Sequence, residues 1–344
     1  MRESIRIKFW KVGCADAITI RFGDKSGLIR NLFIDGGYLS TYLKTIKQEL
    51  LSIQSANQHV DLWIITHTDR DHIGGVEAFL KDPSIHRKEQ LVTEYWFNWS
   101  TYEFKQLHDK ISVAQGINLR QYLLDKGKLQ SKDVVQNIDP VEWYGLHLTV
   151  LSPDEDSLNK SKLEWKEVES EKLIASGFND YGECIDALLK QPHNEDTNVW
   201  NGGSIAILLE RNNRRILFLA DSFPSVTIRA LKKMGYSSTN RLHVDYIKLS
   251  HHGGKRNFNP KLLEIVNCSK FIILANGITH SLPNKWTLAQ ILGNPFRSGE
   301  KIEFYFNDNT EALKQLFAVD KNKDLYNFEC IYSNSEFLAI ELNA

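Results

Sequence analysis

The stretch THTDRDHIGG sets His67, Asp69, Asp71 and His72 within six positions, directly after the apolar run VDLWII. In an extended loop residues 67, 69 and 71 project to one side, and residue 72 begins the turn that follows. Four such groups at the mouth of a buried strand would repel one another or lie poorly solvated unless cations neutralised them. The spacing therefore points to two adjoining metal positions that share one loop. The competing reading is a solvated loop with Asp71 as the cap of the next helix. Three later apolar runs end in the same kinds of residue: Asp221 in ILFLADS, His251 and His252 in KLSHHGG, and His280 in ANGITHSLPN. A carboxylate at 221 could bridge two cations, and the glycines after the histidine pair leave backbone room for a bound group.

The elements that must carry these loops follow from hydrophobic period. SIRIKFW, DAITIRFG and NLFIDGG alternate or run apolar and predict an antiparallel meander, and VDLWIIT predicts a short buried strand. Between them STYLKTIKQELLSIQ spaces Leu43, Ile46, Leu50 and Ile53 as one helical face. GGVEAFLKD predicts a helix, LVTEYWFN a strand, and FKQLHDKISVAQGINLRQYLLDKGK a mostly helical excursion. WYGLHLTVLSP predicts a strand pair, and GGSIAILLERNNRRILFLADS a hairpin turning at Asn-Asn. A helix, SVTIRALKKMG, precedes the strands VDYIKLS and CSKFIILANG. Residues 154–197 turn abruptly charged and poor in apolar positions, which predicts a helical insertion within a single α/β domain spanning 1–344. No internal repeat or low-complexity linker is present.

The 344 residues, 42% hydrophobic and 25% charged, have the composition of a soluble globular protein. A formal net charge of −1 announces neither nucleic acid nor membrane, so an anionic substrate has to be met by local cations. Cys14, Cys184, Cys268 and Cys330 are far apart and form no CxxC pair, which argues against a zinc ribbon or a disulfide framework. The start MRESIRIKFW runs straight into a strand pattern, and no stretch approaches the roughly 18 to 20 apolar residues of a membrane span. A cytoplasmic protein is expected.

In order along the chain, VGCADAITIRFG, NLFIDGG, THTDRDHIGG, LTVLSP, GGSIAILLERNNRRILFLADS, KLSHHGGKRN and THSLPN resemble the metallo-β-lactamase fold, and within it the ComEC-like hydrolase branch. The superfamily's usual motif is HxHxDH, and the HxDxDH formed here by His67, Asp69, Asp71 and His72 is the variant of that branch. The resemblance implies a four-layer αββα sandwich. It also implies His67 and Asp69 on a first metal, Asp71 and His72 on a second, Asp221 as the bridge, and one of His251 and His252 on the second metal. His252 is favoured because it directly precedes glycine. The first-site histidine that usually lies some twenty residues before the bridge is missing, and Asn201 of WNGGS stands about there. The glycine-aspartate pair near the N-terminus is Ala15-Asp16, and the usual His-Pro is stretched to His280-Ser-Leu-Pro283. No membrane-spanning segment accompanies these motifs, so DNA transport is not implied.

Two close divalent cations would activate a water and stabilise the charge that develops on hydrolysis, with Asp71 and His280 as the residues nearest the reaction. Asp69 in place of an imidazole enriches the first site in oxygen, so manganese is expected as readily as zinc. Asp16 and Asp35 could orient the ligating histidines. Arg70, Lys248, Lys255 and Arg256, with Asn201, make a rim suited to a phosphodiester, and the aromatic run EYWFNWSTYEF could stack bases. The first expectation is a metal-dependent phosphodiesterase or nuclease acting on nucleic acid. An ester, lactone or lactam hydrolase would want an apolar pocket instead. A sensor, or a subunit with a protein partner in a multi-gene defence system, is the third reading.

Overall fold

The computed structural model describes residues 4–100, 111–164, 179–297 and 299–343. Its strands form two large sheets. The first contains β1 (Ile5–Trp10), β2 (Ile18–Gly23), β3 (Ile29–Ile34), β4 (Val60–Ile65) and β5 (Val92–Phe97). The second contains β6 (Asn137–Trp143), β7 (Leu146–Ser152), β8 (Ala206–Arg211) and β9 (Arg214–Phe218). A short parallel pair, β10 (Leu242–His243) and β12 (Val266–Asn267), flanks β11 (Tyr246–Lys248), which belongs to the second sheet with β13 (Lys270–Ile273), β14 (Ile302–Phe306) and β15 (Phe328–Tyr332). The last strand, β16 (Phe337–Leu342), returns to the first sheet. The orders are β16-β1-β2-β3-β4-β5 and β15-β14-β13-β11-β9-β8-β7-β6.

Three apolar layers show how these sheets stack. Phe9, Ile20, Leu32 and Ile64 of the first sheet meet Leu148, Ile207, Phe218 and Ile272 of the second, so two sheets pack face to face. The outer face of the first sheet, with Phe33, Trp63 and Tyr95, is covered by Ile46, Leu50 and Ile53 of α1 (Ile46–Ser55) and by Ile73, Val76 and Phe79 of α2 (Arg70–Lys81). The outer face of the second is covered by Ile228 and Leu231 of α3 (Pro224–Lys233) and by Trp286 and Ile291 of α4 (Lys285–Leu292). Alternating strand residues thus feed two cores at once, and the expected four-layer αββα sandwich is the result. Among the described residues no helix is long and apolar enough to cross a membrane.

Local chemistry explains most of the elements. β4 lies between β3 and β5, parallel to both and buried along its whole length, as a continuous apolar run requires. The β8–β9 hairpin turns on Asn212 and Asn213, both at positive φ, which is the two-residue turn that Asn favours. Leu43 departs from expectation: it lies in a short 3-10 segment before α1 and is exposed, because the helix begins only at Ile46.

The charged segment 154–197 is partly core. Leu158, Tyr181, Ile185 and Leu188 are buried, and the Asp180 carboxylate accepts from the backbone N–H groups of Lys285 and Trp286 at 2.8 Å each, capping α4. These four apolar residues are spent inside, whereas Leu163 of the same segment is exposed, a difference that composition averaged over the segment hides. Residues 165–178 of that expectation, and 104–110 of the helical excursion, lie outside the described residues.

Candidate metal centre

The strand order brings the chemistry-bearing loops together. β9, β11 and β13 are parallel neighbours, so their C-terminal ends share one edge of the second sheet, and the loops at Asp221, His251 and Gly277 emerge side by side. The end of β4 faces them across the sandwich, tied by the Ile205 N–H donating to the Thr66 carbonyl at 3.1 Å.

Two glycine pairs set the approach of α2. A Cβ on Gly75 would stand 2.0 Å from the Gly36 carbonyl oxygen, and one on Gly74 2.5 Å from the Leu39 nitrogen, so the DGG turn and the HIGG helix start pack backbone against backbone. The contact delivers Asp35 to His72, whose Nδ1 lies 2.8 Å from Asp35 Oδ2. Thr66 binds the same carboxylate through its N–H at 2.8 Å and its hydroxyl at 2.7 Å. Asp69, not Asp71, occupies the cap position of α2, and its side chain makes no cap hydrogen bond. The helix forgoes a contribution of about 1 kcal/mol that a capping aspartate ordinarily supplies, and Asp69 and Asp71 are turned to the histidines instead.

Asp221 is the centre of the arrangement. Its Oδ1 lies 3.4 Å from His72 Nε2, while its Oδ2 lies 3.8 Å from both His67 Nε2 and His251 Nε2. Around Oδ1 gather Asp71 and His252: Asp71 Oδ2 is 3.5 Å from His72 Nε2 and 3.0 Å from His252 Nε2. Around Oδ2 gather His67 and His251, and Asp69 joins this side through His67, its Oδ2 lying 3.7 Å from His67 Nε2. We refer to His67, Asp69, His251 and Asp221 Oδ2 as the first position, and to Asp71, His72, His252 and Asp221 Oδ1 as the second. The histidine pair divides between them because His251 and His252 both adopt left-handed backbone, at φ 45° and 57°. Such conformations cost non-glycine residues of order 1–3 kcal/mol each and persist where the surroundings hold them. Here the His251 N–H donates to the Ala220 carbonyl at 2.8 Å.

The atoms suit divalent cations. His67 Nε2, His72 Nε2 and Asp221 Oδ1 are buried and have no hydrogen-bond partner among the described residues, although each faces oppositely polar neighbours. Native interiors rarely leave such atoms unmade, and Asp71, His72, Asp221 and His252 each offer a donor atom within 4.8 Å of the others. The field is strongly polarised. Burial opposes charge on His72, but Asp221, Asp71 and Asp35 outweigh it and hold that ring well above its ordinary pKa. Burial opposes charge on His252 too, and Asp16 and Asp71 nonetheless push it up to about 9. Asp71 and Asp221, despite burial, are held well below the carboxylate range by the surrounding imidazoles. A cation could take over the role these protons play.

The remaining expected residues fall in different places. Asn201 is buried, donating to Asp196 Oδ2 at 2.6 Å with its Nδ2 3.4 Å from His251 Nδ1, so it sits behind His251 and not on an open rim. Lys248 is fully buried and ion-paired with Asp16, which removes it from the rim. Lys255 is tied to Gln191 Oε1 at 2.7 Å and packs over the Trp286 ring. Arg256 is exposed, reaching the Glu195 carbonyl at 3.5 Å and the Thr197 hydroxyl at 3.4 Å. Arg70 is exposed and makes no hydrogen bond or ion pair among the described residues. His280 is exposed at φ 55°, and no hydrogen bond or ion pair among the described residues joins it to the cluster. The first part of the aromatic run is core: Tyr95, Trp96 and Phe97 are buried, Trp99 is half-buried, and residues 101–104 lie outside the described residues. Asn257 is an addition to the expected set. Its Oδ1 lies 2.9 Å from His251 Nδ1, and a lone asparagine after two basic residues carries no signal in sequence.

No protein-family model matches the chain, and no curated protein sequence matches it. Solved structures do. The chain is similar to the metallo-β-lactamase fold protein YhfI from Bacillus subtilis over 98% of its own length and 100% of the other, at 12% identity and a TM-score of 0.40. It is similar to Zn2+-bound PqqB from Methylobacterium extorquens over 94% and 87%, at 10% identity and a TM-score of 0.40. A metallo-β-lactamase from Hirschia baltica is similar over 67% and 80%, at 11% identity and a TM-score of 0.30.

Proposed function

We propose that the chain is a metal-dependent hydrolase with two adjoining divalent-cation positions, acting on phosphodiesters and most naturally on nucleic acid. The observation that carries this reading is the division of Asp221: one carboxylate oxygen faces His72, and the other faces His67 and His251. A carboxylate shared in this way suits a pair of ions spanning one substrate group. When bound, two such ions supply an activated water and positive charge for the transition state. The chain's own work is to hold the ligand atoms. Asp35 fixes His72 through Nδ1, Asn257 does the same for His251, and Asp71 lies between His72 and His252.

Asp69, an oxygen donor where the usual motif has imidazole, makes the first position harder and favours manganese beside zinc. Arg70, next to Asp69 and Asp71 in the chain, and Arg256, beside the loop that backs His251, are the cations left to meet a phosphate backbone. Lys255 and Lys248 are engaged elsewhere. The test is metal analysis of the purified protein, then assays on single-stranded DNA, duplex DNA, RNA and a chromogenic lactam. Hydrolysis of a nucleic acid that is lost in Asp221→Ala supports the reading. Lactam or ester turnover with no nucleic-acid cleavage replaces the substrate assignment, and binding without turnover of any of them replaces hydrolysis by a sensing role.

A further inference from the structure

We propose that Lys248 and Asp16 form a buried positioning pair that fixes the His252 ring for a cation at the second position. This rests on the two-cation reading above. Lys248, the last residue of β11, is among the largest fully buried side chains of the protein. Lysine is almost never found there unless paired, because an isolated ammonium in the interior costs several kcal/mol. Its Nζ binds Asp16 Oδ2 and lies 3.5 Å from the Ala220 carbonyl.

Asp16 is itself immobilised by backbone. Its N–H donates to the Asp71 carbonyl at 3.1 Å, and its own carbonyl accepts from Gly37 at 2.8 Å. The second carboxylate oxygen, Oδ1, stands 3.3 Å from His252 Nδ1. Both of these atoms are buried and neither has a hydrogen-bond partner elsewhere among the described residues, so each is the other's natural partner. A carboxylate at Nδ1 keeps the proton on that nitrogen and leaves the Nε2 lone pair for a metal. His252 Nε2 is the atom that faces Asp71.

His72 has the equivalent partner in Asp35, whose carboxylate is met by the uncharged amide and hydroxyl of Thr66 and needs no cation of its own. The carboxylate of Asp16 has no such hydroxyl or amide among the described residues, and the ammonium of Lys248 takes that part. At the first position the imidazoles lean instead on uncharged groups, Asn257 at His251 and the Thr66 hydroxyl, 3.1 Å from His67 Nδ1. The pair is thus specific to one of the two positions.

The experiment is binding of manganese and of zinc by chelator competition, with thermal melting beside it, in wild type, Lys248→Met and the double variant Lys248→Met/Asp16→Asn. The double variant removes both charges at similar size, and so leaves no lone buried ion to unfold the chain. The expected result is that one of two bound ions weakens about 10- to 100-fold while the other is unchanged. Wild-type affinity retained at both positions in the folded double variant overturns the proposal, as does a lowered melting temperature with unchanged metal binding. A wild type that binds no divalent ion overturns it together with the metal-centre reading, whereas two tight ions in wild type and variant alike overturn the pair alone. A second measurement needs no variant: in zinc-loaded wild type, imidazole 15N shifts should show His252 with a protonated Nδ1 and an unprotonated Nε2. The reverse tautomer overturns the proposal.

Discussion

The two halves of the cluster are built to different standards, though Asp221 belongs to both. At the second position His72 and His252 are fully buried, and each has a carboxylate at Nδ1. At the first, the Asp69 side chain is 34% exposed and that of His251 is 28% exposed, and the groups behind the imidazoles are amide and hydroxyl. A carboxylate behind a ligating imidazole raises its basicity and holds its orientation, whereas an amide only orients it. Exposure also lets water compete for the ion. The second position should therefore bind tightly and the first loosely, with turnover limited by occupancy of the first.

The comparison can be broken most decisively at the shared residue. Asp221→Ala should empty both positions and lower hydrolysis by on the order of a thousandfold or more, since it removes several kcal/mol of transition-state stabilisation; metal content and rate report together. Next, His72→Ala should abolish tight binding, while His251→Ala should leave one tight ion and lose only the weak one. Metal analysis after a brief chelator wash separates these, and equal retention in the two variants would show the halves to be equivalent.

A sharper probe of the exposed half is Asp69→His, which should move preference from manganese towards zinc, read as the ratio of activities with each metal. Ligand hardness is the reason. A smaller effect is expected at the rim: Arg70→Ala with Arg256→Ala should reduce the slope of log affinity against log salt by about two for a fluorescent single strand, metal content being unchanged. The same change made at Lys255 and Arg256 should be weaker, because Lys255 is already engaged by Gln191.

The smallest effect lies away from the cluster and serves as its control. Asp24 is held at about 2 by the Ser26 hydroxyl and Arg30. Its folded pKa is depressed, so the stability it contributes is present above the unfolded value of about 4 and is lost as pH falls through about 2. Asp24→Asn should flatten acid unfolding over that window without changing metal affinity.

Much of the scaffold is legible in the residues themselves. Short alternating or apolar runs mark β1 to β4, and Asn-Asn marks the β8–β9 hairpin, because a strand buried on both faces needs apolar residues along its length and a two-residue turn must reach positive φ. The candidate ligands are equally readable, because charged and imidazole groups at the end of an apolar strand conflict with burial unless something neutralises them. Averages over a window do not show where single side chains go: at residues 154–197 Leu158, Tyr181, Ile185 and Leu188 are buried among the described residues of a charged segment.

Residue type and short-range period are enough to single out the loops that carry the candidate ligands. The partition of the ligands comes from tertiary structure: His251 to one oxygen of Asp221 and His252 to the neighbourhood of the other, Asn201 behind the site, and Lys248 inside the protein. Each of these turns on a backbone torsion or on a contact between residues far apart in the chain, such as the 232 positions separating Lys248 from Asp16. A lysine at the end of a strand has the same local pattern whether it faces solvent or a buried carboxylate. Only the packing of the two sheets determines which it meets.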